Sequence, residues 1–412
     1  MKPVPLPLPA DPTSDPALLD RLADAIAGRG PLLLPQEPSP SDPTAAPTGT
    51  GHGPDEPDLD HIDPDVLPSG GGIAVGTSGS TGASKRAVLD ASALTASADA
   101  THARLGGPGQ WLLALPAHHI AGLQVLLRSL RAGARPAVVP PGSFTPAGFV
   151  AGVDSMTGMR RYTSLVPTQL QRLLLDEDAV AAARGLDGVL VGGSSMPPVL
   201  LRRAREAGIP VVVTYGMSET AGGCVYDGTP LDGVHLRIQQ GRIHLAGAVV
   251  ARGYLVRRPA GEDPFLEHGG LRWFRTDDMG RLDEEGLLVV DGRVDDVIIS
   301  GGLKVWPTEV ERALAGFVPD GCDLAVVGLP DPEWGQRVAV AVECTHGSSA
   351  DLLTDLLDHA RDVLPPHARP RLARVVRALP RRGPGKPDRA RLASLLMDPG
   401  WENGVSTPEQ EG

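Results

Sequence analysis

Between residues 111 and 214 short apolar runs alternate with segments of helical periodicity, and this alternation constrains the fold more than any other feature of the chain. The strand-like runs are 111–115, 137–139, 163–166, 188–192 and 210–214, and helix-like segments lie near 90–105, 120–132, 146–153, 167–176 and 197–207. Apolar strands separated by amphipathic helices form βαβ units, which bury a largely parallel sheet between helices. From about residue 233 the texture changes to Val234-His-Leu-Arg-Ile238 and Arg242-Ile-His-Leu245, alternating runs that predict an antiparallel element. Beyond Gly292 a smaller unit of about 100 residues mixes strands and helices. The expected class is α/β: a large N-terminal domain with mostly parallel sheets flanked by helices plus an antiparallel element, and a small α+β C-terminal domain. The domain limits read as 1–292 and 293–400, with a frayed tail at 401–412.

A chain of 412 residues is too long for one ordinary core, in keeping with two domains. Ahead of the alternating region, 16–28 can form a helix and 31–34 a strand. Residues 35–72 are dominated by Pro, Asp, Gly, Ser and Thr and read as a flexible, exposed loop. The formal net charge of −12 argues against a general nucleic-acid-binding surface. The N-terminus lacks the apolar core of a signal peptide, and no stretch approaches the ~18–20 apolar residues of a membrane span. Cys224, Cys322 and Cys344 are far apart with no CxxC spacing, and fit reduced thiols. A soluble cytoplasmic protein is expected, with no nucleic-acid or membrane partner.

The strand-like run 72–76 leads into Gly76-Thr-Ser-Gly-Ser-Thr-Gly-Ala-Ser-Lys85, with three glycines, five hydroxyls and one lysine. Glycines bring backbone N–H groups close to a ligand, and the hydroxyls and lysine add donors and positive charge, which is chemistry for a phosphate. The spacing matches neither the P-loop GxxxxGK[ST] nor GxGxxG. Alone, such a loop is as readily a flexible connector. Strand 210–214 runs into Tyr215-Gly-Met-Ser-Glu-Thr220, at the carboxyl end of a parallel strand where α/β proteins place ligands. Tyr215 could stack on a base, Gly216 allows close approach and Glu219 could hold Mg²⁺; a capped turn reads equally well. Further along stand Trp273-Phe-Arg-Thr-Asp-Asp-Met-Gly280, then Asp291-Gly-Arg-Val-Asp-Asp-Val-Ile-Ile-Ser-Gly-Gly302, and Lys386 on a Gly/Pro-rich loop.

In this order the segments resemble the adenylate-forming superfamily of acyl-CoA synthetases, peptide-synthetase adenylation domains and luciferases, across roughly residues 72–395. The family's TSG[ST]TGxPKG stands here as Thr77-Ser-Gly-Ser-Thr-Gly-Ala-Ser-Lys-Arg86, its YGxTE as Tyr215–Glu219 and its TGD as Thr276-Asp-Asp278. Its GRxDxxIKxxG stands as Gly292–Gly302, and its C-terminal GK lysine is Lys386. The chain departs from the pattern at Ser84, Arg86, Asp277 and Ile299. It also lacks about a hundred residues that larger members carry before the first motif, from which a compact member with a small acid substrate is expected. Leu115-Pro-Ala-His-His-Ile-Ala-Gly-Leu-Gln124 resembles the PLFHISGL segment of o-succinylbenzoate–CoA ligases, the menaquinone-pathway enzymes, with His119 at the acyl pocket.

The resemblance implies a carboxylic acid adenylated with ATP and Mg²⁺, then transferred to coenzyme A, with AMP and pyrophosphate released. It places Thr77, Ser78, Gly79, Ser80, Thr81, Gly82 and Lys85 over the phosphates. Tyr215, Gly216, Met217, Ser218 and the Gly193-Ser194 turn lie near adenine, and Asp278 and Arg293 at the ribose. Glu219 is implied as the metal ligand and Lys386 as the bridge between carboxylate and α-phosphate. A mobile C-terminal domain pivots on Asp295 and brings Gly301 and Gly302 to the pantetheine tunnel. Arg128 and Ser194 are the candidates for a second substrate carboxylate. Other aryl- or acyl-CoA ligases, a stand-alone enzyme loading a carrier protein, and a nucleotide-binding regulator stay open as alternatives, as does the oligomeric state, a homodimer included.

Overall fold

The computed structural model describes residues 3–38, 61–77, 85–259, 261–319, 321–344, 351–382, 386–398 and 404–406. The chain divides into two compact units: one of residues 1–193, 204–239 and 244–276, the other of 194–203, 240–243 and 277–412.

The first unit opens with a four-stranded sheet ordered β1 (Val4–Pro7), β2 (Leu32–Gln36), β3 (Gly72–Gly76), β4 (Arg86–Asp90). Its first three strands are parallel, and β4 turns back antiparallel along β3. A seven-stranded sheet follows, from β5 (Gln110–Leu113), β6 (Ala137–Val138), β7 (Arg161–Leu165), β8 (Gly188–Val191), β9 (Val211–Met217), β10 (Gly222–Tyr226) and β11 (Thr229–Pro230). Its order is β11-β10-β9-β8-β7-β5-β6, with β10 antiparallel to both β9 and β11 and every other pairing parallel. Every residue of β5 and of β8 is buried, as expected for parallel strands covered on both faces.

The helices are α1 (Pro16–Ile26), α2 (Ala91–Arg104), α3 (Ile120–Arg131), α4 (Pro146–Asp154), α5 (Pro167–Leu173), α6 (Glu177–Arg184) and α7 (Pro198–Glu206). The periodicity of 167–176 predicts one helix, but α5 stops at Leu173 and α6 begins at Glu177. The cause is local: the Asp176 carboxylate accepts the Ala179 N–H at 2.9 Å, and two acids in the first turn favour a new helix start.

β12 (Val234–Gln239), β13 (Arg242–Gly247), β14 (Phe265–His268), the twelve-residue β15 (Leu271–Leu282) and β16 (Leu288–Arg293) form the antiparallel sheet. In the second unit β17 (Ile298–Ser300), β18 (Leu303–Val305), β19 (Cys322–Asp331), β20 (Gly335–Cys344), β21 (Leu372–Val376) and β24 make a sheet flanked by α8 (Pro307–Leu314), α9 (Leu352–Val363) and α10 (Arg389–Leu396). Here β24 is Gly404–Ser406, and β22 (Arg381–Arg382) and β23 (Lys386–Pro387) form a separate small hairpin. Strand alternation builds two cores in this unit. Val326, Val338, Val340 and Val342 pack with Val310, Leu314, Leu353 and Leu356; Ala325, Val327, Ala339 and Ala341 pack with Leu392 and Leu396.

Three expectations need correction. Cys322 and Cys344 form a disulfide rather than reduced thiols, because the β19–β20 hairpin sets them directly opposite, with Cα atoms 4.1 Å apart. Cys224 is the free, buried cysteine. The expected exposed loop 35–72 is in part packed: Val66, Ile62 and Leu67 join the core of Leu32, Leu34, Ala74, Val88 and Leu255. The tail expected to fray contributes β24, which pairs antiparallel with β21. Residues 39–60 of the loop lie outside the described residues. No described helix is long and apolar enough to cross a membrane.

Candidate active site

In the first unit, β3 and β4 are hairpin partners and the glycine-rich loop is their connection. Gly76 pairs with Arg86, and the Thr77 N–H donates to the Lys85 carbonyl at 2.8 Å, so the two ends of the loop are closed. Ser78, Gly79, Ser80, Thr81 and Gly82 lie outside the described residues.

The second motif is fixed to the base of that loop. β9 ends at Met217, and Ser218–Thr220 form a single 3-10 turn. The Ser218 hydroxyl donates to the Gly76 carbonyl at 2.8 Å, joining the two motifs across 142 residues of sequence. The Thr220 hydroxyl accepts the Met217 N–H at 3.0 Å. Gly216 faces Gly223 on β10, and a Cβ there would stand 2.1 Å from the Gly222 carbonyl oxygen, so only glycine fits. Tyr215 is half-buried and pairs with Val225. Gly193 follows β8 with φ 83°, and Ser194 comes next in the chain.

Glu219 is buried, and its Oε1 accepts the hydroxyl of Tyr254 at 2.7 Å. The Lys85 Nζ lies 6.0 Å from the centroid of the same tyrosine ring. Thr77, Lys85, Ser218, Glu219 and Tyr254 therefore form one cluster of a cation, a carboxylate and hydroxyls. Sequence reasoning missed Tyr254. Its only signal was its place in Ala251-Arg-Gly-Tyr-Leu255, a segment tied to β4 by hydrogen bonds from Arg252 N–H to Val88 and from Leu255 N–H to Arg86.

The turn after Glu219 is held from α2 and α3. The Ala221 carbonyl accepts from Ser97 and from Gln124, each at 2.8 Å. His119 is the N-cap residue of α3, with its ring 4.2 Å from that of His118. Burial, then the His118 charge, lowers its pKa to about 4, so it is neutral at physiological pH. Two turns along α3, Arg128 is buried. Its guanidinium lies 5.0 Å from the Trp111 ring and donates to the Tyr226 hydroxyl at 3.4 Å. No carboxylate pairs with it among the described residues. A buried cation without a carboxylate is costly unless an anion arrives.

The second unit holds the remaining predicted residues. Asp278 on β15 and Arg293 on β16 are direct cross-strand partners, with NH1 to Oδ1 at 3.5 Å. Asp277 and Asp295 approach the same guanidinium at 3.7 and 3.8 Å. Burial alone would lower the Arg293 pKa, but the four carboxylates of Asp278, Asp277, Asp296 and Asp295 raise it. Asp295 lies in a 3-10 turn directly after β16. Gly301 and Gly302, with φ of 57° and 77°, form the two-residue turn between β17 and β18. The Gly301 N–H donates to the Trp334 carbonyl at 3.0 Å. Lys386 is half-buried at the start of β23 and pairs with Arg382. The site residues thus form two groups: Thr77, Lys85, Gly193, Tyr215–Glu219 and His119 in one unit, and Ser194, Asp278, Arg293, Asp295, Gly301, Gly302 and Lys386 in the other.

Residues 75–255 match the AMP-binding enzyme family, and residues 309–386 match the AMP-binding enzyme C-terminal domain. The chain belongs to the AMP-binding enzymes. It is 50% identical over 341 residues to the probable 2-succinylbenzoate–CoA ligase of Mycobacterium tuberculosis (strain ATCC 25618 / H37Rv), across 81% of this chain and 85% of that one. It is 34% identical over 298 residues to the 2-succinylbenzoate–CoA ligase of Escherichia coli (strain K12), across 70% of this chain and 61% of that enzyme. Among solved structures it is similar to the o-succinylbenzoate–CoA synthetase (MenE) of Bacillus subtilis in complex with the acyl-adenylate intermediate OSB-AMP. That likeness has a TM-score of 0.67 and 28% identity, over 81% of this chain and 70% of that one.

Proposed function

We propose that the protein is an ATP-dependent acid–thiol ligase that adenylates o-succinylbenzoate and transfers the acyl group to CoA, in menaquinone biosynthesis. The observation that carries the choice of acid is the 50% identity, across most of both chains, to the probable 2-succinylbenzoate–CoA ligase of Mycobacterium tuberculosis. The buried Arg128 supports it, because o-succinylbenzoate has a second carboxylate to offer such a cation. ATP and CoA place the reaction in the cytoplasm.

In the first half-reaction a carboxylate oxygen of the acid attacks the α-phosphorus of ATP, and the bond to the β-phosphate oxygen breaks, giving acyl-AMP and pyrophosphate. In the second the CoA sulfur attacks the acyl carbon, and AMP leaves with the oxygen it gained from the acid. No covalent enzyme nucleophile is needed, so the protein positions the reactants and stabilises charge. Thr77, Lys85 and the loop between them cover the β- and γ-phosphates. Tyr215 and the Gly193–Ser194 turn flank adenine, and Asp278 with Arg293 takes the ribose. Lys386 places a point charge between carboxylate and α-phosphate. The neutral His119 lines the acyl pocket.

Mg²⁺ favours oxygen donors and keeps few protein ligands when phosphates share it. The donors present fit: Glu219 offers one buried carboxylate, and no cluster of three or more His, Cys, Asp or Glu side chains occurs among the described residues. When bound, the ion neutralises phosphate charge. The C-terminal residues 293–400 act as a mobile domain that pivots at Asp295 between the half-reactions.

The test is pyrophosphate release with MgATP and a panel of acids, with CoA or a carrier-protein thiol as acceptor, following the acyl product by mass. Turnover with o-succinylbenzoate and CoA well above benzoate and fatty acids is expected. Preference for another acid overturns the substrate, and preference for a carrier thiol overturns the acceptor.

A further inference from the structure

Arg389 is the first residue of α10, three residues after Lys386, and its side chain is only 14% exposed. Its guanidinium makes a two-pronged bond to Glu311 of α8, with NH1 to Oε1 at 2.5 Å and NH2 to Oε2 at 3.1 Å. NH1 also donates to the Val326 carbonyl of β19. Nε lies 3.4 Å from Oδ2 of Asp296, the neighbour of Asp295. Glu311 is committed as well, since its Oε1 accepts the Val326 N–H at 2.8 Å. One side chain therefore ties together the turn that holds Asp295, helix α8, strand β19 and the start of the helix that follows Lys386.

Stability is a poor explanation for this arrangement. A cation in the first turn of a helix opposes the helix dipole, and a buried ion pair roughly balances its desolvation cost against its attraction. What such a pair provides is a fixed geometry, because the planar fork of arginine accepts a carboxylate in one orientation. The backbone carries that geometry the short distance to Lys386. The Asp388 carboxylate caps α10 by accepting the Arg391 N–H at 3.1 Å, and the Asp388 N–H donates to the Pro380 carbonyl at 2.7 Å, next to the hairpin on which Lys386 sits.

We propose that Arg389, clamped between Glu311 and Asp296, is a positioning residue that sets Lys386 for the adenylation half-reaction by joining its segment to the Asp295 turn. This rests on the role given to Lys386 above. A displaced catalytic group costs rate in the one step that uses it, by about tenfold to a hundredfold for a shift of an ångström or so. The effect belongs to adenylation alone, because Lys386 serves only that step.

The experiment compares wild type, Arg389→Lys and Lys386→Ala. It measures pyrophosphate release, thioester formation from supplied o-succinylbenzoyl-AMP and CoA, and the thermal midpoint. Arg389→Lys keeps the charge and loses the fork. It is expected to lower kcat for pyrophosphate release about tenfold or more. KM for ATP and acid, thioester formation and the thermal midpoint should stay near wild type. Should it fail to fold, Asp296→Asn and Glu311→Gln give the same split. Loss of adenylation in Lys386→Ala with none in Arg389→Lys overturns this proposal alone. Equal loss of both half-reactions together with a lowered thermal midpoint also overturns it, as a structural role only. Full adenylation by Lys386→Ala overturns the lysine assignment and this proposal together.

Discussion

At Glu219 the site depends on a partner that the motif does not contain. The Tyr254 hydroxyl, 2.7 Å from Oε1, orients the carboxylate, and the Lys85 ammonium lies over the same ring. Partners of a ligating group typically change metal affinity by about tenfold to a hundredfold when removed. Tyr254→Phe is therefore expected to raise the Mg²⁺ concentration for half-maximal pyrophosphate release about tenfold, read from a magnesium titration. An unchanged titration would remove Tyr254 from the site. A second expectation concerns His102, which is buried and accepts the Trp111 Nε1–H at 3.2 Å near the Arg128 cation. Burial, then the Arg128 charge, lowers its pKa to about 4. Between that value and the ordinary 6.5 the unfolded chain binds a proton that the folded chain does not, so stability falls as pH falls. From pH 7 to pH 5 the His102 share of the loss is on the order of 2 kcal/mol, read by urea unfolding as the amount by which His102→Gln flattens the pH dependence. Equal pH dependence in both proteins would contradict the assignment. His119 acts in the same direction.

The elements that carry these residues were legible in the sequence to different degrees. The alternating apolar runs predicted β5, β7, β8 and β9 and the helices among them except α6, and the signature is plainest at β5 and β8, which are buried on both faces. β4 was hidden. Arg86-Ala-Val-Leu-Asp90 begins and ends with charged residues, and only its antiparallel pairing with β3 shows that the glycine-rich segment is a hairpin tip. The disulfide was hidden for a similar reason, since 22 residues separate two cysteines that the β19–β20 register makes neighbours. Tyr254 escaped because its role depends on a contact with Glu219, 35 residues away, and not on any local spacing. Gly216 was named from sequence as a point of close approach to a ligand; the close approach in the structure is to the backbone of β10. Gly216→Ala would push a methyl group to within 2.1 Å of the Gly222 carbonyl, where neither strand can yield easily. The expected cost is about 1–3 kcal/mol in urea unfolding, and an unchanged midpoint would show that β9 and β10 separate freely.

For the whole molecule, the two groups of site residues belong to two compact units, and the proposed reaction draws on both. Asp295, in the turn after β16, is the proposed pivot. Asp295→Pro removes a backbone N–H and fixes φ, which restricts rotation there. It is expected to leave pyrophosphate release near wild type and to lower thioester formation from supplied acyl-AMP about tenfold or more. Wild-type overall turnover in that variant would place the pivot elsewhere. The most direct test of the two-step account follows the acid's own oxygen. With ¹⁸O in the reacting carboxylate of o-succinylbenzoate, and with ATP and CoA, the account predicts one labelled oxygen in each AMP and none in pyrophosphate. Label in a phosphate other than that of AMP, or AMP formed without label, would contradict adenylation of the acid.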